Sequence, residues 1–171
     1  MVYRQLVYTD LNDLSAYLND LSSETRKRFG PHSFDIESVE KLFAQGNMGY
    51  IALENDEIIA YTVVHPAIID HEKPRLKSYG IDENEKGSCT LAPSVADAWQ
   101  GKGIGSEFMK FIINDLKEKN FTKVYLWGGV QADNEKAVRL YTRLGFKFLG
   151  EFEYYGKNLD MVLALFKSRT I

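Results

Sequence analysis

The chain predicts a mixed α+β fold, and three observations lead there. Short segments rich in β-branched and aromatic residues are interleaved with segments whose apolar residues recur at helical spacing. A glycine-rich turn, Gln100-Gly101-Lys102-Gly103-Ile104-Gly105, separates an apolar segment ending at Val95 from an amphipathic one carrying Ile104, Phe108, Phe111, Ile112 and Leu116 on one face. No repeat, low-complexity run or linker interrupts the 171 residues, so residues 1–171 read as one domain, long enough to bury on the order of 70% of its unfolded surface.

The elements follow in order. Val2 to Tyr8 predicts a strand, with Tyr3, Leu6 and Tyr8 along it and a turn at Thr9-Asp10. Leu11, Leu14, Tyr17, Leu18 and Leu21 predict a helix over 11–21. Gly30-Pro31 breaks the chain, and Asp35 is placed to cap a second helix containing Ile36, Val39, Leu42 and Phe43. Met48 to Leu53 and Glu57 to His65 predict a hairpin around Glu54-Asn55-Asp56. Gly87 to Val95 reads as a strand, followed by the glycine turn and a long helix from about Gly103 to Lys119. Thr122 to Val130 predicts a buried strand, Asn134 to Leu144 a helix, and Phe146 to Tyr154 and Leu159 to Phe166 two more strands about a turn at Gly156. Pro66 to Lys86 is left irregular, and loops of that length are usually functional or mobile.

Composition removes several classes. A net charge of −3 and a pI near 5.7 argue against a nucleic-acid binder held by phosphate contacts. The single cysteine, Cys89, forms no internal disulfide and suits a reducing compartment. No secretory signal pattern is visible, and the longest uncharged apolar stretch, Ile58 to Ile69, holds His65 and Pro66 and is too short to span a membrane. The expected location is cytoplasmic. His32, His65, His71 and Cys89 have no metal-ligand spacing, so no metal is expected.

The glycine turn carries the chemistry. A strand, a glycine turn and a helix aim free backbone N–H groups at a phosphate, with the positive end of the helix dipole behind them. A dinucleotide fingerprint needs G-x-G-x-x-G, and Ser106 stands where the third glycine belongs; no P-loop pattern occurs. A second pattern follows at helical spacing: Asn134, Ala137, Leu140 and Tyr141, then Gly145-Phe146.

Gln100, Gly103 and Gly105 fit Q/R-x-x-G-x-G/A, and the second set fits N-x-x-A-x-x-L-Y-x-x-x-G-F at every position. With the element order, the whole chain resembles the GNAT superfamily of N-acetyltransferases. That resemblance implies a central, mostly antiparallel mixed sheet of about seven strands flanked by about four helices, in the order β-α-α-β-β-β-α-β-α-β-β.

It further implies acetyl-CoA as acyl donor. The backbone N–H groups of Gly101, Lys102, Gly103, Ile104, Gly105 and Ser106 would hold the pyrophosphate, with Gln100 opening the same cofactor-binding motif, and the pantetheine arm would pair with the strand end Ala92-Pro93-Ser94-Val95. Pro93 has no N–H, so Ser94 or Val95 is left to polarise the thioester carbonyl. Ala96-Asp97 stands where the family more often carries a proline. Asn134 and Ala137 would face the cofactor. Tyr141 is the expected general acid, since a phenol of pKa ~10 keeps its proton at neutral pH and can serve a departing thiolate. No carboxylate occurs in Ser88–Ala92 or Val124–Trp127, so His65, Asp97 and Asp133 are the candidate bases, with His65 first.

The expected function is transfer of acetyl to a primary amine of a small molecule or protein, by direct attack on the thioester. A non-catalytic acyl-CoA-binding or sensor module is the alternative; a structural subunit pairing through its last strands is a third. Neither nucleic acid nor membrane is an expected partner, and a homodimer is admitted as an assembly. For the acceptor, the resemblance points to Arg26, Arg28 and Phe29, the 66–86 segment, and Glu151, Glu153, Tyr154 and Tyr155.

Overall fold

A computed structural model describes residues 1–166 of the chain. Its elements are α1 (Leu11–Asp20), α2 (Ser23–Arg28), α3 (Ile36–Ala44), α4 (Lys73–Ser78), α5 (Ile104–Glu118) and α6 (Glu135–Leu144), with β1 (Val2–Gln5), β2 (Met48–Glu54), β3 (Glu57–His65), β4 (Ser88–Val95), β5 (Lys123–Leu126), β6 (Val130–Gln131), β7 (Lys147–Glu153) and β8 (Lys157–Ala164). The pairing is mixed and mostly antiparallel, with β4 and β5 the parallel pair. This is the α+β class the element order predicts. The residues group into two compact units: 1–64 with 92–111, and 65–91 with 112–171.

The first unit carries β1, β2, β3 and the C-terminal half of β4, hydrogen-bonded in that order. Asn55 and Asp56 both take positive φ, which is the turn a two-residue hairpin needs to match the strand twist. Leu14 and Leu18 of α1, Val39 of α3, Tyr50 and Ile51 of β2 and Tyr61 of β3 are fully buried. The Tyr3 ring lies 5.7 Å from Phe108 and 5.9 Å from Phe111, so β1 and the first turns of α5 share an aromatic contact. The first strand is shorter than its apolar residues suggest. Arg4 donates two hydrogen bonds to Asp10, and Asp10 accepts the Val7 N–H, which turns residues 8–10 into a 3-10 turn. The polar segment Ser23–Arg28, unread as a helix, is α2: Ser22 accepts the Thr25 N–H as its N-cap.

The second unit holds the rest of β4, then β5, β8 and β6 in hydrogen-bonded order, with β7 also on β8. The single strand predicted over 122–130 is two. Gly128 and Gly129 both have positive φ and part β5 from β6, and a Cβ on Gly129 would meet the Leu159 carbonyl oxygen at 2.6 Å. The 66–86 segment is not irregular throughout. A 3-10 turn over Asp70–Glu72 leads into α4, where Pro74 occupies the first turn, a place where its missing N–H costs nothing. Ile68 and Leu76 pack with Tyr125 of β5, and Tyr79, Ile81, Leu149 and Val162 surround them. Gly150 lies so close to the Tyr79 ring that a Cβ there would stand 2.3 Å from it.

Candidate active site

In the first unit, the end of β4 is held from its side chains. The Ser94 hydroxyl donates to the Tyr61 carbonyl at 3.1 Å, which leaves its oxygen to accept from the Tyr17 hydroxyl at 3.0 Å. Ala96 donates its N–H to the Ile59 carbonyl at 2.8 Å. Alternate residues of an antiparallel strand turn their amides to the same side, so Ser94 faces β3 as Ala96 does and the Val95 N–H faces away. Of the two residues expected to meet the thioester, Val95 is the one whose amide points out of that pairing.

Gln100 reaches back along the chain. Its amide nitrogen donates to the Val95 carbonyl at 2.9 Å and to the Thr25 hydroxyl at 3.1 Å. Thr25 in turn donates to Asp97 at 2.7 Å, and Asp97 also accepts the Ser22 hydroxyl at 2.5 Å and the Ser22 N–H at 3.0 Å. The Ser22 and Thr25 hydroxyls hold the Asp97 carboxyl down at about 2. Asp97 is therefore a tie between α2 and the glycine turn, with no proton affinity near neutral pH to serve as a base.

Beyond Gln100 the chain turns through Gly101 (φ +74°) and Gly103 (φ +79°), where any L side chain is strained. A Cβ at either would meet nothing within 4 Å, so the space against the backbone is open. The Glu107 N–H returns to the Gly103 carbonyl at 3.3 Å. The N–H groups of Ile104, Gly105 and Ser106 precede that bond and are the unshared donors of the α5 N-terminus. Donors, helix dipole and open space together fit a pyrophosphate. Lys102 lies with its ammonium 5.0 Å over the Trp99 ring.

In the second unit, Asn134 caps α6 by accepting the Ala137 N–H at 3.4 Å. Tyr141 lies two turns on, with its ring 5.3 Å from Phe146 in an edge-to-face contact. The residue is only 7% exposed, and no described residue hydrogen-bonds its hydroxyl. Burial pushes the phenol up, so it carries its proton throughout the neutral range.

His65 ends β3 with its ring 6.1 Å from Trp127. Burial lowers its pKa, Asp70 opposing and Lys73 assisting, so the imidazole is neutral at pH 7. Cys89 is buried with its thiol pushed up to about 12 by desolvation, which rules it out as an acyl-carrying nucleophile.

The 66–86 segment supplies side chains that the sequence did not single out. The Arg75 guanidinium donates to both oxygens of Asp160, at 2.6 and 3.0 Å, and to Glu72 at 3.0 Å, and it lies 3.8 Å from the Phe152 ring centre. Tyr79 donates to Asp160 at 2.8 Å, and the Gly128 N–H donates to Glu72 at 2.6 Å. The His32 Nε2 meets the Tyr61 hydroxyl at 2.9 Å inside an aromatic cluster with Phe29 and Phe34. Of the expected acceptor residues, Arg26 is engaged with the Leu21 carbonyl and Phe29 is buried, whereas Tyr154 and Tyr155 stand exposed at the hairpin tip. The i,i+3 pair Glu72–Arg75 was the visible signal; their third partner lies 85 residues away.

Known proteins resemble this chain in the same terms. Residues 14–146 match the Acetyltransferase (GNAT) family. Over 80 residues the chain is 35% identical to the spermine/spermidine N(1)-acetyltransferase of Bacillus subtilis (strain 168), a match covering 46% of this chain and 51% of that protein. The match thus spans about half of that relative's length. Among solved structures, the ribosomal-protein-alanine N-acetyltransferase of Brucella melitensis superposes with a TM-score of 0.74 at 21% identity, covering 96% of this chain and 100% of that one. The yncA protein of Salmonella typhimurium, solved with its cofactor acetyl-CoA, gives a TM-score of 0.65 at 17% identity, covering 100% and 97%. No helix among the described residues is long and apolar enough to cross a membrane. A glycine turn opening α5, a capped α6 carrying Tyr141 and a family match over residues 14–146 lead to one assignment: the chain belongs to the GNAT acetyltransferase family.

Proposed function

We propose that this protein transfers an acetyl group from acetyl-CoA to a primary amine by direct attack of the amine on the thioester. One observation carries the reading. The turn Gly101–Gly103 leaves open space before three unshared N–H donors of α5, directly after a β4 end that turns the Val95 amide outward. The pyrophosphate is assigned to the backbone of residues 101–106, the pantetheine arm to the β4 end, and the thioester carbonyl to the Val95 N–H.

In the proposed reaction the neutral amine forms a C–N bond to the carbonyl carbon and the C–S bond breaks. The ammonium proton passes to His65, whose lowered pKa keeps the imidazole neutral at pH 7. Tyr141, which keeps its proton at neutral pH, acts as general acid towards the departing thiolate. Holding the two reactants together contributes up to ~7–11 kcal/mol, more than either proton transfer. The similarity to a spermine/spermidine acetyltransferase supports a small cationic amine over a protein terminus as acceptor.

The test is release of free thiol on incubation with acetyl-CoA and a panel of amines. Thiol release that depends on the amine supports the reading. Tight acetyl-CoA binding with no release on any amine would replace it with an acyl-CoA-binding module.

A further inference from the structure

Within the second unit, Glu72 and Asp160 are both buried, with side chains 2% and 3% exposed, and one guanidinium serves the two of them. Asp160 is satisfied. It receives Arg75 on both oxygens and Tyr79 on one. Glu72 is not. Its Oε1 takes both the Gly128 N–H and Arg75, and Oε2 takes no hydrogen bond from any described residue. Nor is Oε2 among the described side-chain atoms that are sealed from solvent without a partner, so it meets accessible space.

Beside it, the Cβ position of Gly128 is open for at least 4 Å. Two buried carboxylates against one cation leave a surplus negative charge, which is costly unless a further positive group completes it. Lys73, next in sequence, pairs with Asp70, and His71 acts on Glu72 through its charge without a hydrogen bond to it. The Gly128 amide that Glu72 accepts follows Trp127 in the chain, and the Trp127 ring lies 6.1 Å from that of His65, the residue assigned to take the amine proton.

We propose that Glu72 is a specificity-determining residue that holds, through Oε2, a second positive charge of the acceptor, so that the preferred substrates are diamines and polyamines. The proposal rests on the acetyltransferase reading. A cation here completes the Arg75–Asp160–Glu72 set and replaces solvent at an oxygen that the fold leaves unbonded. Burial raises the Glu72 pKa, with the Gly128 N–H, Arg75 and His71 opposing.

The experiment compares a diamine with the monoamine of equal chain length, 1,4-diaminobutane against butylamine, on the wild type and on Glu72→Gln. The glutamine keeps an oxygen for Gly128 and Arg75 and replaces Oε2 with a donor. The expected result is a KM for the diamine raised at least tenfold, with kcat, acetyl-CoA KM and butylamine KM within twofold of wild type. An equal loss on both amines would assign Glu72 to the reacting nitrogen and overturn the proposal, as would an unchanged KM on both.

Equilibrium binding of 1,4-diaminobutane to the protein is the second readout and needs no turnover. Binding that is lost in Glu72→Gln while the wild type acetylates nothing would sink the acetyltransferase reading and leave the Glu72 site standing. Should Glu72→Gln not fold, diamine affinity against pH reads the same carboxylate, measured in a His65→Gln/His71→Gln background so that neither imidazole titrates. The other charged groups around it are Arg75, which keeps its charge, and Asp160, held by Arg75 and Tyr79. Affinity present at neutral pH and lost as Glu72 protonates, above the ordinary glutamate range, is expected; a pH-independent affinity would overturn the assignment.

Discussion

Replacing Gly103 with glutamate separates the phosphate assignment from mere backbone strain. Gly103 sits at φ +79°, so any side chain there carries about 1–2 kcal/mol of conformational strain. That strain belongs to the protein with or without ligand, and Gly103→Ala measures it as a loss of Tm. The added methyl meets nothing within 4 Å, so alanine leaves the rest of the packing alone. Glutamate adds a carboxylate to the space before the α5 donors. Against a phosphate charge about 4 Å away the repulsion approaches ~4 kcal/mol at an effective dielectric near 20, and exposure and salt reduce it from there. A floor of tenfold in Kd, about 1.4 kcal/mol, is the expected loss of acetyl-CoA affinity beyond that of Gly103→Ala. Calorimetry at two salt concentrations is the assay, and the loss shrinks at the higher one. A folded Gly103→Glu protein that binds acetyl-CoA as Gly103→Ala does would show that the anion lies elsewhere.

Three further outcomes are expected. Tyr141→Phe keeps the ring against Phe146 and removes only the donor, so Tm and acetyl-CoA affinity hold while the pre-steady-state acetyl-transfer rate falls about 10²- to 10⁴-fold; a wild-type rate would make Tyr141 a packing residue. With His65 as base, kcat/KM rises with pH through one ionisation below the ordinary histidine value, as burial dictates, and His65→Ala flattens that limb while Asp133→Asn leaves it; a limb that tracks the pKa of the substrate amine would hand the proton to water. Asp97→Asn loosens α2 from the glycine turn, with an expected loss near 1 kcal/mol because the group is exposed, or a few degrees of Tm. Because the folded carboxyl is held at about 2, this contribution is full above the ordinary aspartate value of ~3.9 and disappears as pH falls towards 2, so wild type and variant should converge in acid; a constant gap would refute the tie.

The parts of the site that depend on short spacing were legible in the sequence. Gly101 and Gly103 predicted an open turn because only glycine takes that backbone freely, and Asp35 and Asn134 both cap the helices they precede. Other elements were hidden for identifiable reasons. The helix α2 has no apolar face to give a period, and α4 carries few apolar residues and a proline that reads as a breaker but occupies its first turn. The Gly128-Gly129 pair was a visible stop for β5 that the run of apolar residues around it outweighed. The choice between Ser94 and Val95 needed the strand register, which the Ala96–Ile59 bond supplies. Glu72 and Asp160 lie too far apart for any local pattern to join them, and only the fold brings both to Arg75.

The reach of Arg75 across 85 residues has a consequence for the order in which the molecule is made. At ~5–20 residues per second, synthesis delivers Asp160 several seconds after Arg75. Until then the Arg75 guanidinium has only its local partner Glu72, and Tyr79 has neither the carboxylate it donates to nor the Gly150 surface its ring lies against. The contact is of the long-range kind that closes slowly, after local helices and hairpins exist. Arg75 and Tyr79 therefore complete their native contacts only once β8 is made, and a nascent or C-terminally shortened chain would leave these two side chains without their carboxylate.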